Sequence, residues 1–66
     1  MKNIIEKMIA DGVTYSVTKE REIIGKIGDY MKADGYTATQ INYYFNIDED
    51  FLGDVLGELP VEVANV

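Results

Sequence analysis

The chain contains no cysteine and no histidine among its 66 residues. The absence of cysteine excludes disulfides and thiolate chemistry, and the absence of both residues excludes zinc sites of the usual ligand types and the commonest general base. A domain of this length has one small core and is marginally stable unless a disulfide, a metal or a second subunit supports it. Because the other supports are excluded, we expect a homodimer.

Basic residues are missing from the whole second half, since none follows Lys32. Residues 1–32 carry six bases against five acids, a net charge of +1, whereas residues 33–66 carry seven acids and no base, a net charge of −7. Such an asymmetry bears on partners rather than on the fold. It makes nucleic acid a poor partner for the second half.

Long apolar runs are also missing. No run approaches the roughly 18 residues of a membrane span, and charges interrupt the opening MKNIIEKMIA, which is therefore not a signal peptide. We expect a cytoplasmic protein that does not contact a membrane. Because 47% of the residues are hydrophobic, the chain can bury apolar surface. We expect one helical domain over residues 1–60 and a tail over residues 61–66 that packs on the core or pairs as a short edge.

Apolar residues recur at helical spacing twice in the first half of the chain. In the first helix they are Met1, Ile4, Ile5, Met8 and Ile9. In a longer second helix, which Ser16 or Thr18 would cap, they are Val17, Ile23, Ile24, Ile27, Tyr30 and Met31. Each helix ends in Ala-Asp-Gly, at Gly12 and at Gly35, so the same ending recurs at an offset of 23 residues.

Residues 35–59 predict two further short helices. Thr37 or Thr39 would cap the third, Asp48 would cap the fourth, and Pro60 would end it. The side chains expected to face the core are Ala38, Ile41, Tyr44, Phe45, Leu52, Val55, Leu56 and Leu59. A strand is the alternative for the third element, because Ile41, Tyr43, Phe45 and Ile47 alternate with other residues. The preferred prediction is all-α, a compact bundle of four short helices.

The same stretch resembles a helix-turn-helix motif. The residues that carry the resemblance are Thr39, Ile41, Tyr44, Phe45, Asn46, Ile47, Asp48, Leu52 and Leu56. The resemblance implies a helix-turn-helix-like second half with a left-handed turn at Asn46, in a class of domains that bind either DNA or proteins. In the DNA-binding members the last helix enters the major groove, but here that helix carries carboxylates, which phosphates repel. Direct DNA binding by this helix is not expected.

Two short motifs point elsewhere. Gly25 and Gly28 resemble the Gly-x-x-Gly loop of the KH family, which clamps a nucleic-acid backbone. Ile27 stands where that loop exposes a small or basic residue, so a close helix crossing at the glycines is preferred. The acidic run from residue 48 suggests a calcium loop, but Leu52 and Leu59 occupy positions that need oxygen ligands. We expect no metal site, no cofactor, no catalytic residues and no enzymatic activity.

The outer face of the fourth helix is the candidate site. If its leucines and Val55 face the core, the remaining residues of that helix face outward, two of them glycines that together lower helix propensity by roughly 2 kcal/mol. A close-approach surface for a partner would compensate for that loss. The residues predicted to bind a partner are Glu49, Asp50, Gly53, Asp54, Gly57 and Glu58, with Tyr36 and Tyr43 as exposed aromatic anchors.

In type, the chain resembles small acidic phage-encoded anti-defence proteins, of the anti-restriction or anti-CRISPR kind. That resemblance implies a protein-binding inhibitor of phage or mobile-element origin, acting in the host cytoplasm on a larger host protein with a basic face. The expected target is a defence or nucleic-acid-handling protein. The alternative is a small dimeric helix-turn-helix regulator that binds DNA through the basic first half, with Lys19, Arg21 and Lys26 on the phosphates.

Overall fold

The computed structural model describes residues 2–63, in which four α-helices and one 3-10 turn follow one another. Their bounds are α1, Lys2–Ala10; the 3-10 turn, Val17–Lys19; α2, Glu20–Ala33; α3, Ala38–Asn46; and α4, Phe51–Glu58. The prediction of a compact all-α fold of four short helices is confirmed. Met1, predicted to open the first apolar stripe, and residues 64–66 of the tail lie outside the described residues.

The core draws on α1, α2 and α4 but not on α3. Its buried apolar side chains are Ile4, Ile5, Met8, Val13, Ile23, Ile27, Met31, Phe51, Val55 and Leu59. In α2 they stand four residues apart, which places them on one side of the helix, and this is the spacing that the sequence predicted. Helix α2 packs against both α1 and α3, and α3 packs against α4.

The two Ala-Asp-Gly endings have the same geometry. Gly12 and Gly35 adopt φ angles of +81° and +96°, which a side chain would disfavour. Each ending makes the two hydrogen bonds of a Schellman motif. At the first ending, the Val13 N–H donates to the Met8 carbonyl at 2.9 Å and the Gly12 N–H to the Ile9 carbonyl at 3.0 Å. At the second, the Tyr36 N–H donates to the Met31 carbonyl at 3.0 Å and the Gly35 N–H to the Lys32 carbonyl at 3.1 Å. The two endings, 23 residues apart in the sequence, therefore have the same backbone conformation.

Side chains cross-link these two endings in a pseudo-symmetric way. The Lys7 ammonium contacts the Asp34 carboxylate at 2.9 Å, and the Tyr30 hydroxyl donates to the Asp11 carboxylate. Lys7 and Tyr30 differ by the same 23 positions as Asp11 and Asp34, so the aspartate of each ending accepts a hydrogen bond from the other helix. This arrangement fixes the carboxyl ends of α1 and α2 side by side.

The start of α2 differs from the prediction. Neither Ser16 nor Thr18 caps the helix; their hydroxyl oxygens lie 2.9 Å apart and share a hydrogen bond. Residues 17–19 form a 3-10 turn instead, and this turn rotates Val17 into solvent, where it is 70% exposed. Val17 is therefore not part of the apolar stripe, and neither is Ile9, which is exposed on α1.

Helix α3 begins at a capping box. The Thr37 hydroxyl accepts the Gln40 N–H at 3.2 Å, and the Gln40 side-chain oxygen accepts the Thr37 N–H at 2.9 Å, so Thr37 rather than Thr39 is the cap. The strand alternative for this element is wrong, because these bonds start a helix. Its inner side chains Ile41, Tyr44 and Phe45 are half-buried, whereas Ala38 is exposed, contrary to prediction.

The glycines of α2 do not form a loop, and the KH interpretation is therefore wrong. A Cβ added at Gly28 would lie 3.8 Å from the Phe45 ring, which is ordinary van der Waals contact, and one added at Gly25 would meet no atom within 4 Å. Helices α2 and α3 therefore approach each other at Gly28 and not at Gly25, but even at Gly28 there is room for a side-chain carbon, so the close crossing predicted at the two glycines is not found.

The turn from α3 to α4 does not use a left-handed residue. Within residues 2–63 only glycines have positive φ, so Asn46 is not the left-handed residue that the helix-turn-helix pattern implies; its side chain donates back to the Asn42 carbonyl at 3.1 Å. The Asp48 carboxylate accepts the Asp50 N–H at 3.2 Å, one turn before α4 begins. This register buries Phe51, which is 4% exposed, and leaves Leu52 only half-buried, whereas the sequence predicted Leu52 as the inward residue.

The segment after α4 returns to the chain between α1 and α2. Tyr15 forms an isolated parallel bridge with Val61, through Tyr15 N–H to the Pro60 carbonyl at 2.7 Å and Glu62 N–H to the Tyr15 carbonyl at 2.8 Å. As far as residue 63, the tail thus pairs as a short edge, one of its two predicted roles.

Candidate functional site

The outward face of α4 carries a line of carboxylates. Asp50, Asp54 and Glu58 stand four residues apart, so they lie on one side of the helix, and all three are exposed. Glu49, also exposed, precedes them in the turn. We call these four residues the acidic line. The structure therefore places the acidic residues of the predicted site together and in solvent.

The acidic line is not neutralised within the described chain. Among the described side chains, those of residues 3–63, the one ion pair found joins Lys7 to Asp34, and it involves no residue of the acidic line. Like charges four residues apart on a helix repel by roughly 0.2–0.5 kcal/mol per pair. Glu58 also stands in the last turn, where the helix dipole disfavours an anion. A carboxylate near the amino end of a helix stabilises it, which explains the presence of Asp50, but the same effect does not explain Glu58.

The two glycines of the predicted site form a second line beside the acidic one. Gly53 and Gly57 are exposed, and a Cβ added at either would meet no atom within 4 Å. No close packing inside the described chain therefore compensates for their low helix propensity. Bare backbone four residues apart leaves a shallow strip that another chain can approach.

The predicted aromatic anchors belong to one cluster centred on Tyr44. The ring of Tyr44 lies 5.9 Å from that of Tyr36, 5.6 Å from that of Tyr43 and 5.1 Å from that of Phe51, measured between centroids. Phe45 stacks edge-on against Phe51 at 5.3 Å. Tyr43 is 49% exposed, as an anchor should be, whereas Tyr36 is half-buried, so only Tyr43 turns a large surface to solvent.

A groove that the sequence did not reveal runs beside the acidic line. It has a volume of about 500 Å³ and is lined by apolar side chains from three helices, with carboxylates among them. The lining residues are Ile5, Tyr44, Phe51, Val55, Asp48, Asp54 and Glu58. We call it the acidic groove. Asp54 and Glu58 belong both to the acidic line and to this groove, so the two features form one continuous surface.

Two further cavities differ from the acidic groove in their charge. The α2–α3 cleft, of about 440 Å³, is lined mainly by glycine backbone, Ile41 and Phe45, and it carries both Asp29 and Lys32. The third, of about 240 Å³, has both signs as well, with Lys19 and Lys26 beside Glu22 and Glu62. In residues 2–63, no group of three or more carboxylates is arranged to hold a metal ion.

The basic residues proposed for DNA contact lie in mixed surroundings. Lys19 and Lys26 share their cavity with two carboxylates, and Arg21 lies between two glutamates in the sequence of α2.

One tyrosine has a perturbed pKa: the hydrogen bond to Asp11, with smaller effects of burial and of the Asp11 charge, raises the pKa of Tyr30. Tyr30 holds the helix endings together and lies outside the candidate site.

No helix within residues 2–63 is long and apolar enough to cross a membrane. Comparison with protein-family models, with curated proteins and with solved structures finds no match to the chain. The helix-turn-helix resemblance and the anti-defence type therefore remain predictions.

Proposed function

We propose that this protein is a small protein-binding module that docks its acidic line on a basic face of a larger protein and blocks that face. The observation that carries the proposal is the exposed line of Asp50, Asp54 and Glu58, for which no ion pair is found among the described side chains, those of residues 3–63. The proposed partner is a nucleic-acid-handling protein of a host, and the proposed origin is a phage or mobile element. Inhibition would then be steric or competitive.

Electrostatics supports a basic protein as the partner. A carboxylate facing an ammonium group at 4 Å gains about 1 kcal/mol in water and more at a surface that excludes water. Charges of one sign on one face also steer a partner of the opposite sign and raise the association rate. A protein surface that binds phosphates already presents Lys and Arg, so a line of carboxylates on a rigid helix competes for the same groups.

The experiment compares affinity capture by three forms of the full chain from a nuclease-treated lysate of the natural host. These are the unchanged protein, the double variant Asp50→Lys with Asp54→Lys, and a control, Glu6→Lys with Asp29→Lys, which makes the same change of charge at exposed positions on α1 and α2. We expect a nucleic-acid-handling protein to be captured by the unchanged chain and the control but lost, by tenfold or more, with the α4 variant.

Duplex DNA added to the captured complex should displace the partner, because both ligands need the same basic face. Equal capture by all three forms would refute the proposal, as would a partner that DNA does not displace. A mobility-shift assay at low salt addresses the DNA-binding alternative, since electrostatic binding to DNA is strongest there. A retarded band that Lys19→Ala with Lys26→Ala abolishes would replace the present proposal with that alternative.

A further inference from the structure

We infer that the acidic groove receives one face of a basic amphipathic helix of the partner. The inference rests on the proposed function and deepens it, because it names the kind of segment that the α4 surface binds. An aliphatic or aromatic side chain of that helix would lie on the apolar lining, chiefly against the half-buried ring of Tyr44, because the neighbouring lining residues Ile5 and Phe51 are buried. Its flanking Lys or Arg residues would contact Asp54 and Glu58.

The charge of the groove selects a basic occupant. Among the described side chains, those of residues 3–63, three carboxylates and no basic residue line the groove, whereas the other two cavities carry both signs. An acidic or purely apolar segment would leave these carboxylates desolvated without a partner, which is unfavourable. A segment with an apolar centre and basic flanks matches both parts of the lining.

The walls of the groove select a helix rather than a strand. All its lining residues except Asp48 lie on α1, α3 and α4, and none of these helices presents a sheet edge. A peptide that binds as an added strand needs an exposed sheet edge to pair its own N–H and C=O groups, and these walls supply none. A helix satisfies them internally. Helix α4, of eight residues, is about 12 Å long at 1.5 Å per residue, which matches roughly two turns of a helix lying along it.

The test uses the full chain and a synthetic helical peptide of leucine and lysine, with leucines at i, i+3, i+4 and i+7. Three isoleucines report on the three cavities: Ile5 lines the acidic groove, Ile41 the α2–α3 cleft and Ile23 the third cavity. We expect the peptide to shift the methyl NMR signal of Ile5 and to leave those of Ile41 and Ile23 in place.

Variants of Asp54 and Glu58 at the rim of the acidic groove test whether their charge contributes to peptide binding. Asp54→Asn with Glu58→Gln keeps the side-chain shapes and should weaken peptide binding by about tenfold, as two partly exposed charge contacts are lost. The control, Glu6→Gln with Asp29→Asn, neutralises two exposed carboxylates outside the groove and should change the affinity less than twofold. Neutralising Asp54 and Glu58 relieves repulsion within α4, so the variant should fold, and a circular dichroism spectrum would check this.

Three outcomes would overturn the inference. These are equal binding of a peptide with the same composition but no apolar face, a shift at Ile41 or Ile23 in place of Ile5, and equal affinity of the rim variant and the unchanged protein. None of them touches the proposed function, which depends on capture of the partner through Asp50 and Asp54. Conversely, if capture of the partner does not depend on Asp50 and Asp54, the proposed function is refuted even if the peptide binds in the groove.

Discussion

The α1–α2 half of the chain supplies seven of the ten buried apolar side chains in residues 2–63, whereas the half with α3 and α4 supplies three. In the first half, each helix buries aliphatic side chains on one stripe. In the second half, α3 has no buried residue, and half-buried aromatic rings around Tyr44 join it to Phe51 of α4. The comparison shows that α1, α2 and α4 share one core, while α3 is attached to that core by a thinner layer of contacts.

The two halves also use their charges differently. At the carboxyl ends of α1 and α2, Asp11 and Asp34 accept hydrogen bonds that link the two helices. In the second half, the acidic line points into solvent and repels itself. Its residues contribute little to folding, which leaves them available for binding. This contrast is the structural basis of the proposed function.

The largest expected effect comes from one substitution made in both halves. Ile27 is fully buried on α2 and Ile41 is half-buried on α3. Ile27→Ala should lower the free energy of unfolding by about 2–5 kcal/mol, which is the range for a buried isoleucine and comparable to the whole stability of a domain this small. Ile41→Ala should lower it by roughly half as much or less, because less surface is buried.

Urea unfolding followed by circular dichroism measures both losses. The change in helix propensity is the same at the two positions, since both are isoleucines inside helices, so the difference reports burial alone. Equal losses would show that α3 belongs to the core as fully as α2 does, and the contrast between the halves would fail.

Glycine-to-alanine substitutions should change the stability of the protein in opposite directions at Gly35 and Gly53. Gly35→Ala forces a left-handed backbone on alanine and should destabilise the protein by about 1–2 kcal/mol. Gly53→Ala, in a helix with open space around it, should stabilise it by about 0.5–1 kcal/mol. Thermal unfolding of the two variants against the unchanged chain measures both effects, and a loss of stability in Gly53→Ala would contradict the geometry of α4.

The same α4 glycines also test the interface. Gly53→Ala with Gly57→Ala should gain stability yet capture less partner, because two methyl groups would then stand on the strip that the partner approaches. A gain in stability with unchanged capture would assign these glycines no role in binding. The acidic line would then act without them.

The four helices and the two Ala-Asp-Gly endings could be predicted from local sequence, because periodicity, a glycine at the helix end and a threonine cap act within a few residues. The starts of α2 and α4 could not be predicted in this way. The choice of Thr37 over Thr39 depends on Gln40, the reciprocal partner in the capping box. The acidic line, too, follows from spacing along one helix. The exposed face of α4 could therefore be predicted from residue spacing within a single helix.

The acidic groove could not be predicted in this way. It exists because Ile5 of α1 and Val55 of α4, far apart in the chain, line the same depression, and no periodicity reports such a contact. The inward role of Phe51 was missed for a related reason. The turn around Asp48 sets where α4 begins, and that register decides whether Phe51 or Leu52 is buried.

The smallest expected effect concerns the link between the two helix endings in the first half. The hydrogen bond to Asp11 raises the pKa of Tyr30, so the folded state favours the protonated hydroxyl more than the unfolded state does. The stability that this bond contributes is fully present below the ordinary tyrosine pKa of about 10 and is lost as the pH rises through the higher value of the folded state. Asp11→Asn removes the charge, so the ultraviolet titration of Tyr30 should move toward lower pH.

Tyr30→Phe should accordingly be less stable than the unchanged protein at pH 8, and the difference should shrink as the pH rises above about 10. Urea midpoints measured from pH 8 upward test this, with Tyr43→Phe, which removes an exposed hydroxyl on α3, as the control. If the curves of Tyr30→Phe and the unchanged protein stay parallel through this range, the bond between Tyr30 and Asp11 does not link the endings. The first half would then depend on its buried stripe and on the contact between Lys7 and Asp34.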